Sequence, residues 1–227
     1  MMLFKSHFKG LNQEVSGLRF SNPAGVFRKG ESARIRSLTG LGLGFLTVSP
    51  DSRDILRWIQ QVVSQRRGQD TLLGVNLRKD IERSFSLVYD FADFLVIDTN
   101  SNGGIDSPDV SDIPVLLDEL LNLRLCYEQY TPIFLRLPIG LTPEELHTIL
   151  SYCQLSGVNG VVATGIGNVR QVLEFTQRRL PVTGCSTSPE EAALMLREGA
   201  SLVEMEVRPS VALKLLKTME KEAKKHD

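Results

Sequence analysis

Short apolar runs recur along the chain, and the stretches between them are long enough for a helix. Eight runs read as strands: Ala24 to Phe27, Leu43 to Val48, Leu72 to Leu77, Phe94 to Thr99, Ile133 to Leu137, Gly160 to Thr164, Pro181 to Gly184 and Leu202 to Val207. Most are continuously apolar, as expected of strands buried on both faces. Upstream, Val15 to Phe20 alternates like a half-buried strand and Ser21-Asn22-Pro23 reads as a turn, so residues 1–20 are expected to form a small hairpin. The helical period appears in Asp54 to Arg67, where Ile55, Trp58, Ile59, Val62 and Val63 share one face. Further helices are predicted over Ile113 to Gln129, Pro143 to Leu155, Val169 to Arg178, Pro189 to Glu198 and Ser210 to Lys224, with Gly157, Gly184 and Gly199 as punctuation.

The stretch from Thr131 to Glu145 shows the unit most clearly. An apolar strand, Ile133 to Leu137, carries one charge, Arg136, and stops at Pro138. Thr142-Pro143-Glu144-Glu145 then reads as a helix start: N-cap, proline in the first turn, and a glutamate closing a capping box. Eight such strand–helix units are the count of a (β/α)8 TIM barrel. The expectation is therefore one barrel domain over residues 1–227, with residues 1–20 as a β-hairpin appendage. An open doubly wound sheet is the rival, because periodicity does not reveal closure.

Composition narrows the function classes. The 227 residues are 42% hydrophobic, and 26 Lys+Arg against 27 Asp+Glu give a net charge of -1. That balance gives no footprint for nucleic acid. The mixed tail Lys214 to Lys225 reads as a solvated helix face. Cys126, Cys153 and Cys185 lack metal or disulfide spacing, and His7, His147 and His226 suggest neither a metal site nor a triad. No run approaches the ~18 apolar residues of a membrane span, and the first residues lack a signal-peptide core. A soluble cytoplasmic protein acting on a small molecule is the expectation.

In a barrel, chemistry gathers where strands end. There the chain offers Lys29, Thr47, Asn76, Asp98-Thr99-Asn100-Ser101, Arg136, Thr164-Gly165, Cys185-Ser186-Thr187-Ser188, Glu204 and Glu206. Five stretches carry a resemblance: Gly17-Leu18-Arg19-Phe20-Ser21-Asn22-Pro23, Leu73-Gly74-Val75-Asn76, Asp98-Thr99-Asn100-Ser101, Gly160-Val161-Val162-Ala163-Thr164 and Gly199-Ala200-Ser201-Leu202-Val203. In this order they resemble the motifs of the dihydroorotate dehydrogenase family.

The resemblance implies an FMN-dependent oxidoreductase of pyrimidine biosynthesis that converts dihydroorotate to orotate. It places Ser101 at the position of the catalytic base. It places Thr47, Asn76, Asp98, Arg136, Thr164 and Lys29 at flavin-contacting positions, and implies a homodimer, since many members pair. The departures cluster at the same place. Asp98 stands for an asparagine and Arg136 for a lysine. Gly165 and Gly103 stand for substrate asparagines, Ser186-Thr187 for a phosphate-binding Gly-Gly, and Glu206-Val207 for a tyrosine–hydroxyl pair. The long loop expected after the second strand is missing.

Each candidate also has a plainer reading. Ser101 sits in Asn100-Ser101-Asn102-Gly103-Gly104, a turn on composition alone. Arg136 reads as a salt-bridged residue inside the barrel mouth, and Ser188-Pro189-Glu190-Glu191 as a capping device. Alternation in the last strand puts Glu204 and Glu206 on one face, toward the interior, where buried carboxylates need partners. Arg136 is therefore expected to pair with Glu206, Glu204 or Asp98. The flavin site is then lost and the protein purifies colourless. The alternative function is a degenerate barrel kept for ligand binding or for interaction.

Overall fold

The computed structural model describes residues 12–29, 42–50, 55–66, 70–100 and 109–206, with helical positions at 211, 214, 215, 217 and 218. β1 (Gln13–Val15) and β2 (Leu18–Phe20) pair antiparallel as a hairpin. Eight parallel strands follow: β3 (Ala24–Lys29), β4 (Phe45–Ser49), β5 (Leu72–Leu77), β6 (Phe94–Asp98), β7 (Ile133–Arg136), β8 (Gly160–Thr164), β9 (Val182–Ser186) and β10 (Leu202–Met205). Each pairs with the next and β10 closes on β3, so the sheet is a closed barrel and the open alternative is excluded.

The helices are α1 (Ile55–Arg66), α2 (Ile81–Val88), α3 (Ile113–Arg124), α4 (Pro143–Ser156), α5 (Ile166–Phe175) and α6 (Pro189–Glu198). The capping box of α4 forms as expected: Thr142 Oγ1 accepts from the Glu145 N–H at 3.3 Å, and the Glu145 carboxylate accepts from the Thr142 N–H at 2.8 Å.

Three of the helices depart most from expectation. Helix α2 was not predicted. Its N-cap, Asp80, lies in the left-handed region at φ 44° and makes no side-chain cap bond, so the usual start signal is missing. Its packing is ordinary, with Phe85 and Val88 buried and the Phe85 ring 5.1 Å from Tyr89. Helix α3 stops at Arg124, five residues early, where three turn hydrogen bonds from Leu125, Cys126 and Tyr127 take over. Helix α5 starts three residues early because Gly165, at φ 83°, turns the chain straight into it. It is closed by Gln177 and Arg178, both at positive φ.

The lower half of the barrel is filled by phenyl rings. Phe45, Phe94 and Phe134 point inward, and Phe20 of the hairpin plugs the end, with ring centroids 5.6–6.1 Å apart. Space for them comes from glycines on neighbouring strands. A methyl group at Gly25 would lie 2.3 Å from Phe45, one at Gly74 2.4 Å from Phe94, and one at Gly160 2.7 Å from Phe134. Burying each ring contributes about 1.5–3 kcal/mol. The outward strand residues, among them Val26, Leu46, Val75, Leu95, Leu135 and Val203, pack in the larger core with the helices.

Candidate functional site

The same inward alternation, carried one step toward the strand C-termini, replaces rings by charges. Asp98 ends β6 and Arg136 ends β7, and the two residues are register partners. Glu204 on β10 lies beside Gly25 of β3 and Cys185 of β9. Asp98, Arg136 and Glu204 are 6%, 5% and 1% exposed, so this is a buried ionic group.

Its geometry is specific. Arg136 Nη2 donates to Glu204 Oε2 at 2.7 Å, and Arg136 Nε donates to Asn76 Oδ1 at 3.3 Å and lies 3.7 Å from Asp98 Oδ2. Asn76 Nδ2 donates to Asp98 Oδ2 at 3.1 Å. The other Asp98 oxygen accepts from the backbone N–H and the side-chain amide of Asn100, both at 3.1 Å. The guanidinium lies over the Phe27 ring, 4.9 Å from its centroid. Burial alone would lower the Arg136 pKa. The Glu204 and Asp98 carboxylates outweigh it, and the group is held above its ordinary value. Burial pushes the Cys185 thiol up to about 11, with Glu204 adding to the rise and Arg136 opposing it.

A second polar contact sits at the ends of β8 and β9. Ser188 caps α6, accepting from the Glu191 N–H at 3.3 Å. The Glu191 side chain reaches away from its own helix: Oε1 accepts from the Ile166 N–H at the start of α5 at 3.1 Å, and Oε2 accepts from the Ser186 hydroxyl. A carboxylate of the chain itself thus takes one of the backbone donors that an exogenous anion could use at this helix end.

The candidates read from sequence fall into three groups. Asn76, Asp98 and Arg136 are brought together, and Glu204 joins them as expected. Thr47 is buried below them, its Oγ1 without a hydrogen-bond partner, and Thr164 is half-buried at the end of β8. Lys29 ends β3, but its side chain lies outside the described residues, as do Ser101 and the rest of its turn after Asn100. One expectation is corrected. Glu206 is exposed and lies past the last residue of β10, because the strand ends at Met205 and the inward alternation ends with it. Its N–H still reaches the Ser186 carbonyl at 3.3 Å. Three participants were missed: Phe27 under the guanidinium, Asn100 bridging Asp98 to the Leu137 carbonyl at 3.2 Å, and Glu191 linking two helix starts. Only Phe27 left a usable signal, since it shares the inward period of Gly25 on β3.

These features define a closed parallel eight-stranded α/β barrel with a buried ionic cluster at the C-terminal end of the strands. Comparison with known proteins places it further. The chain is 26% identical over 224 residues to a dihydroorotate dehydrogenase (quinone) of Coxiella burnetii, an alignment covering 77% of this chain and 64% of the relative. It is 27% identical over 222 residues to the corresponding enzyme of Christiangramia forsetii, covering 79% and 65%. It therefore spans slightly less than two thirds of the length of these curated relatives. Among solved structures, dihydroorotate dehydrogenase of Eimeria tenella in complex with ferulenol superimposes with a TM-score of 0.76 at 15% identity, covering 95% of this chain and 84% of that one. The ligand-free Eimeria tenella form gives 0.71 at 16%, covering 93% and 87%. A thiamine phosphate pyrophosphorylase of Pyrococcus furiosus shares the barrel alone, with a TM-score of 0.59 at 13% identity, covering 87% and 95%. No family model matches. In sequence the chain is thus similar to dihydroorotate dehydrogenases, and in fold to their solved structures, as its motifs implied.

Against an FMN, the described residues fit poorly. Three of the described groups that the resemblance assigned to the flavin are committed to other side chains: Asn76 to Asp98 and Arg136, Asp98 to Asn76 and Asn100, and Arg136 to Glu204. The Ile166 N–H at the start of α5 and the Ser186 hydroxyl are committed to Glu191. Among the described residues no cluster of His, Cys, Asp or Glu could hold a metal ion, and no helix is long and apolar enough to cross a membrane.

Proposed function

We propose that this chain is a dihydroorotate dehydrogenase-like barrel that has given up the family's flavin chemistry and serves as a ligand-binding or interaction protein. The observation that carries this reading is the Arg136–Glu204 pair, 2.7 Å long and 6% and 1% exposed at the side chain. A cation near a flavin ring is useful when its charge is available. Here Glu204 and Asp98 place two carboxylates against one guanidinium. A phosphate would further have to displace Glu191 from its two donors and accept a like charge close by, where screening is weak.

A second reading is favoured by the sequence similarity itself, which runs through the chain in order and keeps Thr47, Asn76 and Thr164 on barrel strands. In that reading the protein is an FMN oxidoreductase that converts dihydroorotate to orotate in pyrimidine biosynthesis, with Ser101 as base. The test is the visible spectrum of the purified protein with and without added FMN, followed by dihydroorotate oxidation with FMN and an artificial electron acceptor. The first reading expects no flavin absorbance and no turnover. Turnover that falls steeply in Ser101→Ala establishes the second. A homodimer and a cytoplasmic location remain expectations from the resemblance and from composition, to be read by sizing and fractionation.

A further inference from the structure

Below the ionic cluster lies a small cavity in the barrel, of about 10 Å³ of room for a water-sized sphere, bounded by Phe45, Phe94, Phe134, Thr47, Thr183 and Glu204 among others. Two of these residues carry an oxygen that makes no hydrogen bond, Thr47 Oγ1 and Glu204 Oε1, and each residue is 1% exposed. They are separate orphans on one cavity, since no direct bond joins them. The Glu204 carboxylate spends its other oxygen on Arg136. A bare carboxylate oxygen facing phenyl rings is costly, and so is a bare hydroxyl. The volume is about what one water needs, and a water needs at least two polar partners.

We propose that the cavity is a binding site for a single ordered water that donates one hydrogen bond to Glu204 Oε1 and exchanges a second with Thr47 Oγ1. Thr183, which lines the same cavity, carries a further hydroxyl. The occupant is water and not a metal cation, because two or three oxygens are too few for a hard cation, which takes about six or more. The water completes the solvation of the carboxylate that holds Arg136. Thr47, assigned to a flavin by resemblance, then serves the interior of the barrel. The site rests on the two orphaned oxygens and is independent of whether the protein binds flavin.

A crystal structure of the full chain at high resolution tests this first. The expected result is one density peak within hydrogen-bond distance of both Thr47 Oγ1 and Glu204 Oε1. An empty cavity, a direct Thr47–Glu204 bond, or a peak with the short, multiple contacts of a cation would overturn it. Oxygen-17 magnetic relaxation dispersion gives a second readout in solution. The wild type should show one more long-lived internal water than Thr47→Val, and Thr47→Ser, which keeps the hydroxyl in a smaller side chain, should retain it. Equal counts in wild type and Thr47→Val, or loss in Thr47→Ser, would contradict the proposal.

Discussion

The two ends of this barrel are built on one backbone alternation and obey different rules. At the N-terminal end the inward positions are Phe45, Phe94 and Phe134, each seated against a glycine of a neighbouring strand and closed by Phe20. Stability there comes from apolar area and tight volume matching. At the C-terminal end the inward positions are Asn76, Asp98, Arg136 and Glu204, and stability depends on each polar atom finding a partner. The first end is sensitive to volume as well as to chemistry, since a single added methyl group meets a ring. The second end has no tolerance for the loss of a single partner.

Removing one member of the ionic cluster should produce the largest effect. Glu204→Ala leaves the buried guanidinium with Asp98 alone, 3.7 Å from Nε, and should cost about 3–5 kcal/mol, read by urea unfolding. The double variant Arg136→Met, Glu204→Leu should recover most of that loss, because a buried pair replaced by apolar residues of similar volume is often neutral. A double variant as unstable as the single would show that the top of the barrel needs the charges for more than mutual compensation.

Crowding the opposite end should cost less. Gly74→Ala drives a methyl group to 2.4 Å from the Phe94 ring and should destabilise by about 1–3 kcal/mol. Adding Phe94→Leu to make room should return part of it. No recovery would mean that the glycine is required by the backbone and not by the ring.

Part of this contrast was legible in the sequence. Eight apolar runs gave the strands, and Thr142-Pro143-Glu144-Glu145 gave a helix start to the residue, because both signals are local. Alternation in β10 and the cost of a lone buried charge pointed to Glu206, Glu204 or Asp98 as the partner of Arg136, and the structure selects Glu204, with Asp98 nearby. What failed was non-local or lacked a local mark. Glu206 was placed inside because alternation does not announce where a strand stops. Helix α2 begins without a side-chain cap, so it was overlooked. Glu191 was read as a capping residue of its own helix, whereas it reaches the start of α5, 25 residues earlier in the chain.

Thiol chemistry sharpens the contrast at smaller scale. Cys126 is exposed, and burial raises Cys153 to about 12 and Cys185 to about 11. Near neutral pH a disulfide reagent should titrate Cys126 readily and the other two only on unfolding. In Glu204→Gln the Cys185 thiol should ionise at lower pH than in the wild type, since Glu204 raises it. An unchanged Cys185 profile would mean that the two side chains do not sense each other.

The smallest effect belongs to the exterior. Arg170 Nη2 bonds Glu198 at 2.6 Å on the surface, with side chains 54% and 33% exposed. Arg170's hydrogen bond holds the Glu198 carboxyl below its ordinary value. Because the folded value is the lower one, this contribution is complete above the ordinary carboxylate range and fades as acid passes the depressed value. Arg170→Ala should scarcely change stability near neutral pH, and added salt should erase the difference. A loss as large as that of Glu204→Ala would remove the distinction between paired charges inside the barrel and outside it.

The central claim is that internal pairs occupy the charged end of the barrel and leave it unable to hold a flavin. Equilibrium dialysis of the purified full chain against FMN, read by visible absorbance, tests it most directly. The account predicts a colourless protein that retains no FMN beyond the free concentration. A yellow protein carrying one FMN per chain would contradict it and restore the oxidoreductase reading.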